Sequence, residues 1–374
     1  MYSYQTSSQQ RLDLIGRLQA EVAGLMRLGD VQASARGDSV VFVGRLLQGA
    51  EESYRALRER FRPFGYTPIL RKDGEADVIV AQRGVARAFR GSSPLFHLAL
   101  LGVTLLTTLF AGASFADVNV LRALRALTNA GEFAPLLGAL AAGAPFAATL
   151  LLILGVHEMG HYVAARIHGV QVTLPYFIPV PFGLGTFGAF IAMKSPVENR
   201  KALFDVGLAG PIAGLVVALP LMILGLLLSS VVPASGEVGG RLGVSLLVNW
   251  LVDLVQPHAA GFAVQLHPIA IAAWFGLLIT GFNLMPMGQL DGGHVSYAIL
   301  GRAARPLAFI AFASLLTMGF LFWSGWYTWA FFALLTGLGH PSPANDITPL
   351  DRGRKLIGLL ALGLFLLLIT PRPF

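Results

Sequence analysis

The sequence predicts an all-α polytopic membrane protein with about six to seven transmembrane helices, a short membrane-associated β segment and a small N-terminal α+β domain. Three observations predict it. Hydrophobic residues fill 55% of the 374 positions and charged residues 13%, about half the charged share of a typical soluble domain. Mean hydropathy is +0.67, more apolar surface than one soluble core could bury beneath a charged skin. Several apolar runs approach the roughly 20 residues a bilayer core requires, and Lys and Arg collect beside them.

The N-terminal 90 residues predict a soluble domain. Arg11–Leu28 has Leu12, Ile15, Leu18, Val22 and Leu25 at near-helical spacing. Residues 31–47 alternate around Arg36-Gly37-Asp38, the pattern of a hairpin. Glu51–Phe61 reads as a second helix stopped by Pro63 and Gly65, and residues 66–70 and 76–81 as short strands. Nothing here looks catalytic. Met1–Gln10 is polar and lacks the apolar core of a cleavable signal.

From residue 91 to 374 the chain predicts a membrane domain. Arg83, Arg87 and Arg90 precede the first span, Leu95–Phe115, which puts the N-terminal domain on the cytoplasmic side. Residues 118–127 read as interfacial. Phe133–Ala144 is too short to span, so it is either re-entrant or an extension of the next helix through Pro145. Phe146–His168 crosses inward, and the Pro- and Gly-rich stretch 169–200 is not a span. Residues 203–231 cross outward, 233–267 form an external loop, and Pro268–Met285 returns. Candidates 307–323 and 326–338 follow, with a short last span at 356–369.

The net charge of +7 reads as basic residues facing anionic lipid, with the bilayer as partner and no nucleic acid. With no cysteine in the chain, any metal falls to His, Asp or Glu. Such residues form two constellations. His157-Glu158-Met159-Gly160-His161 puts two imidazoles four residues apart on one helix face, with Glu158 offset by one position. Ionisable groups inside a span are costly and point to function. The second is Asn283-Leu284-Met285-Pro286-Met287-Gly288-Gln289-Leu290-Asp291-Gly292-Gly293-His294, ending a span at the same membrane depth. Asp291 is either the third ligand of an open metal site or a helix cap. Pro286 and the glycines break the helix, so Asn283 either donates to a developing oxyanion or bonds the freed backbone. His294 either supports the ligands or lies on a solvated loop.

Together the two motifs resemble the site-2 protease family of intramembrane zinc metalloproteases, over roughly His157 to Gly293 with a catalytic core of about 146–300. The resemblance implies one Zn²⁺ per chain held by His157, His161 and Asp291, with Glu158 as general base. The substrates it implies are transmembrane proteins, cut within or near their spans. Gly207–Gly214 resembles the family's small-residue motif, and its Gly210-x-x-x-Gly214 spacing lets helices approach closely. Gly185, Thr186, Phe187, Gly188, Ala189, Phe190 and Ile191 resemble the strand that pairs with extended substrate; the bland alternative is a passive re-entrant loop. A substrate helix must unwind before hydrolysis, and an edge strand would re-pair its freed backbone.

Many bacterial members insert a peptide-binding domain between the motifs. Here the 233–267 loop, about 35 residues, is below domain size. A soluble N-terminal part without that insert resembles a branch of cyanobacteria and plastids. The expected location is a bacterial inner membrane, although an organellar one shares the composition. A cation transporter using the His/Asp cluster as an ion site is the alternative function, against which Glu158 stands.

Overall fold

The computed structural model describes residues 8–34, 38–84, 93–233 and 242–373. It is mostly helical, and its residues divide into two compact units. One unit comprises Met1–Phe89 with Lys194–Leu203 and Pro341–Arg352; the other comprises Arg90–Met193, Phe204–His340 and Gly353–Phe374.

In the first unit, α1 (Ser8–Val22) and α2 (Ala50–Phe61) pack on a four-stranded antiparallel sheet of order β1-β2-β4-β3. The strands are β1 (Met26–Ala33), β2 (Ser39–Leu46), β3 (Tyr66–Asp73) and β4 (Ala76–Arg83). Val40 and Phe42, Tyr66 and Leu70, and Ile79 and Ala81 alternate inward at the strand period and meet Leu18, Val22, Leu57 and Phe61 from the helices. The first helix is shorter than its apolar spacing predicts. Gly24 takes a left-handed φ of 82°, and Leu25 and Met26 enter the core from the following turn and strand. Arg36 and Gly37 of the expected turn, and Arg87 and Arg90 of the basic run, lie outside the described residues.

The outer edge of β3 is covered by chain from far along the sequence. Leu70 N–H donates to Ala344 O at 2.7 Å and Asp346 N–H to Leu70 O at 3.0 Å. On the other side of that strip, Ala344 N–H donates to Val197 O and Asn345 N–H to Glu198 O. Both bridges at Asn345 are parallel, so the sheet gains two short strips from residues 344–346 and 197–199. Arg200 Nε on Asp346 Oδ1 at 2.8 Å and Lys201 Nζ on Glu51 Oε2 at 2.9 Å reinforce them.

The second unit carries the apolar helices. Among the described residues, four helical stretches are long and apolar enough to cross a membrane. They are α3 (Pro94–Phe115), α5 (Ala134–Ile167), α6 (Arg200–Leu227) and the pair α9 (Asp291–Leu300) and α10 (Ala304–Leu321), joined by one tight turn. The first turn of α6 counts with the first unit. The amphipathic α4 (Val120–Ala130) falls where an interfacial segment is expected. Residues 133–144 extend the next helix: α5 runs 34 residues with Pro145 inside it, which membrane helices tolerate when neighbours satisfy the freed carbonyl.

Between α5 and α6 lies an antiparallel hairpin, β5 (Tyr176–Pro179) with β6 (Thr186–Phe190). After α6, β7 (Ser230–Pro233) pairs with β8 (Phe262–Gln265) around α7 (Leu246–Val255). The reading of 233–267 as plain loop misses α7, whose ten residues are too few to stand out as a span. Among the described residues three further helices complete the unit: α8 (Pro268–Asn283), α11 (Trp326–Thr336) and α12 (Arg352–Leu368), whose first residue counts with the first unit.

Candidate metal centre

α5 brings His157, Glu158 and His161 to one buried place, with one ligand atom of each within 4.8 Å of the others. His157 Nε2 and His161 Nε2 lie 3.2 Å apart. α8 stops at Asn283, and Pro286 and the left-handed Gly288 (φ 55°) carry an irregular segment into α9. Asp291 opens that helix, whose cap is Leu290 with no side-chain bond to the helix N–H groups. The Asp291 carboxylate instead faces both imidazoles, Oδ2 at 3.3 Å from His157 Nε2 and Oδ1 at 3.3 Å from His161 Nε2.

These three separations test the fit of a metal. Four ligands arranged tetrahedrally at about 2.0–2.1 Å from one ion lie about 3.3 Å from each other. Two imidazole nitrogens and a carboxylate at 3.2–3.3 Å meet that spacing, and three electron-rich groups crowded in a buried place call for a cation. One of the imidazoles is also oriented for it. His161 Nδ1 donates to the Val206 carbonyl at 2.7 Å, which leaves Nε2 with its lone pair toward the cluster.

A glycine face of α6 seats both histidines. A Cβ on Gly210 would stand 2.1 Å from His161 Nε2, and one on Gly214 would stand 3.1 Å from His157 Nδ1. Gly207 faces His294 Cβ in the same way, at 2.6 Å. The sequence spacing of these glycines predicts close helix approach; the structure adds that the approaching groups are the imidazoles.

Asn283 lies beside the cluster, its Nδ2 3.3 Å from His157 Nε2. Glu158 is buried, and the backbone N–H of Ile191, just past β6, faces its carboxylate. Among the described residues β6 pairs with β5 alone. Phe187 and Phe190 are exposed on it, whereas Thr186 turns inward to bond Ile178 O at 2.9 Å. Gly185, with φ 79°, presses on the α3 backbone, where Thr107 Oγ1 donates to its carbonyl at 2.6 Å. A mostly apolar cavity of about 1220 Å³ opens next to Thr186 and Phe187, walled by Phe115, Trp274, Phe275 and Phe282.

His294 is not a solvated loop residue. It sits in α9, with Nδ1 2.5 Å from His340 Nε2, and the His340 ring packs against Tyr297. Val206, Asp205 and His340 escaped the sequence reading, and Ile191 entered it only as the end of the strand, not as a partner of Glu158. Two of them act through backbone groups, which leave no mark in residue identity.

A membrane helix bearing two histidines and a carboxylate, completed by an aspartate at the break of a second helix, defines a membrane-embedded metallopeptidase type of centre. The profile of peptidase family M50, that of the site-2 proteases, matches residues 145–324 of the chain. Over 352 residues the chain is 32% identical to "Probable zinc metalloprotease EGY2, chloroplastic" of Arabidopsis thaliana, covering 90% of this chain and 60% of that protein. It is 35% identical over 239 residues to the protein of Oryza sativa subsp. japonica named "Probable zinc metalloprotease EGY1, chloroplastic", covering 61% and 40% respectively. The chain thus spans 60% or less of the length of these relatives. Their chloroplastic names give the expected bacterial inner membrane no support; the apolar helices and the family fit an integral membrane protein. No solved structure matches.

Proposed function

We propose that this protein is an intramembrane zinc metalloprotease, hydrolysing peptide bonds within or near the transmembrane segments of membrane proteins. The observation that carries the reading is the set of 3.2–3.3 Å separations among His157, His161 and Asp291, with Glu158 beside them. These three residues hold one Zn²⁺, which when bound supplies a Lewis acid for water and for the peptide carbonyl. Glu158 takes the proton of the attacking water and passes it to the leaving amine. Asn283 donates to the carbonyl oxygen as charge develops there.

A span presented as an intact helix hides its carbonyls in its own hydrogen bonds. Gly185 to Phe190 accept the unwound segment as an added strand. Ile191, which follows them, brings that strand to Glu158, and the neighbouring cavity takes apolar side chains of the part still helical. The N-terminal unit belongs to the cytoplasmic side by the basic residues before α3. With α8, α11 and α12 counted as crossings beside the four long stretches, the chain crosses the membrane seven times.

The test joins metal content to cleavage. Detergent-purified protein is expected to hold about one zinc per chain and to cut a single-span substrate carrying a helix-breaking residue. Chelation removes cleavage and zinc restores it. Asp291→Ala is expected to lose zinc and activity together, because it removes one of only three protein ligands. Full zinc occupancy in that variant would sink the third-ligand assignment. Zinc bound without cleavage of any such span, but transported across vesicles, would favour the ion-transport reading instead.

A further inference from the structure

Two turns below His161, the same helix makes a second polar contact with α6. His168, at the C-terminal cap of α5, places Nε2 2.9 Å from Asp205 Oδ2. Asp205 is the residue immediately before Val206, whose carbonyl accepts the His161 Nδ1 proton. Seven residues separate His161 from His168, so both side chains leave the same face of α5. Two contacts on one face, made to adjacent residues of α6, fix the two helices against both sliding and rotation.

Asp205 is itself gripped from a third helix. Arg354, in the first turn of α12, donates Nε to Oδ1 and Nη2 to Oδ2, each at 2.7 Å. This is the paired, two-pronged geometry in which an arginine binds a carboxylate most strongly. The group is half-buried, with side-chain exposures of 33% for Arg354, 26% for Asp205 and 27% for His168. That burial spares it much of the screening that makes fully exposed pairs nearly worthless.

We infer that Asp205 is a positioning residue for the metal centre: with Arg354 and His168 it sets α6 so that the Val206 carbonyl orients His161 for the ion. The inference rests on the zinc reading above. α12 thereby bears on the centre although none of its residues reaches it. Outer partners that orient ligand histidines are worth about 10–100-fold in metal affinity. Asp205 acts one step further out, through a rigid helix, so its effect falls at the lower end of that range.

Zinc affinity, measured by competition with a chromophoric chelator on the detergent-solubilised full chain, is the main readout. The visible spectrum of the Co²⁺-loaded protein is the second, since it reports the symmetry of the ligand set. Asp205→Ala is expected to weaken zinc binding about 10-fold and to shift the Co²⁺ spectrum. Arg354→Ala should do the same, and the double variant should be no worse than Asp205→Ala alone, because both residues act through one chain of contacts. Arg354→Lys keeps the charge without the fork and should recover part of the loss, which covers the case of an Asp205→Ala chain that fails to fold. Wild-type affinity and an unaltered Co²⁺ spectrum in folded Asp205→Ala or Arg354→Ala would overturn the inference, as would fully additive losses. A wild-type chain that takes up no zinc would instead overturn the zinc reading, and this inference with it.

Discussion

Replacing Glu158 by glutamine leaves zinc bound and lowers the cleavage rate by about 10²–10⁴-fold, the usual contribution of a positioned general base. The geometry separates the two effects. His157 and His161 lie four residues apart and share a face of α5, while Glu158 is turned away from it by one position. Its carboxylate comes within 4.8 Å of both imidazole nitrogens, whereas Asp291 stands at 3.3 Å from each and completes the proposed ligand set. Glutamine has nearly the same volume and keeps an oxygen to face the Ile191 N–H. It cannot take a proton from water. Zinc content and single-turnover cleavage, measured on the same preparation, check this directly. Loss of zinc in Glu158→Gln would make Glu158 a ligand, and retained cleavage would move the base elsewhere.

Gly210→Ala is expected to weaken zinc binding by about 100-fold and to abolish cleavage, although position 210 offers no chemistry of its own. The added methyl would stand 2.1 Å from His161 Nε2 and 2.5 Å from Cε1, so the ring must move. Moving it breaks the bond to Val206 and swings Nε2 off the cluster. Overpacking of a tight site costs about 1–3 kcal/mol, and here that cost falls on a ligand. Gly214→Ala, 3.1 Å from His157 Nδ1, should give a smaller loss, about 10-fold. Gly363→Ala, with nothing within 4 Å, should give none. Chelator competition across the three variants tests the order; wild-type zinc affinity in Gly210→Ala would sink the account of this face.

The candidate ligands were legible in the sequence because their spacing is local. His157 and His161 declare a helix face, and Asp291 sits in a motif whose proline and glycines announce a helix break. What orients those ligands was not legible. Val206 contributes a carbonyl that any residue would carry. The glycines of α6 announce close packing, but not that an imidazole is what packs there. Asp205 and Arg354 are 149 positions apart, and nothing in either neighbourhood names the other. The same holds for secondary structure. The strong periods of α2 and the strand pairs were plain, whereas Leu25 and Met26 continue an apolar pattern past the end of α1 because the core they enter is shared with the turn and strand that follow. Phe133–Ala144 was ambiguous because its fate depended on whether the carbonyl freed by Pro145 finds a partner, which is a tertiary question.

The strip that closes the β3 edge sets an order of events during synthesis. Leu70 leaves the ribosome about 270 residues before Ala344 and Asp346, the residues that bond its backbone. At about 5–20 residues per second this is a wait of about 15–55 s. Through that time β3 presents an open row of backbone donors and acceptors, an invitation to pair with another chain. The sheet can be finished only after the helices from α3 to α11 have been made, so its completion reports that the intervening chain has been delivered. A nascent chain halted before residue 344 would carry an unfinished N-terminal sheet, exposed at β3 and recognisable to quality control as such.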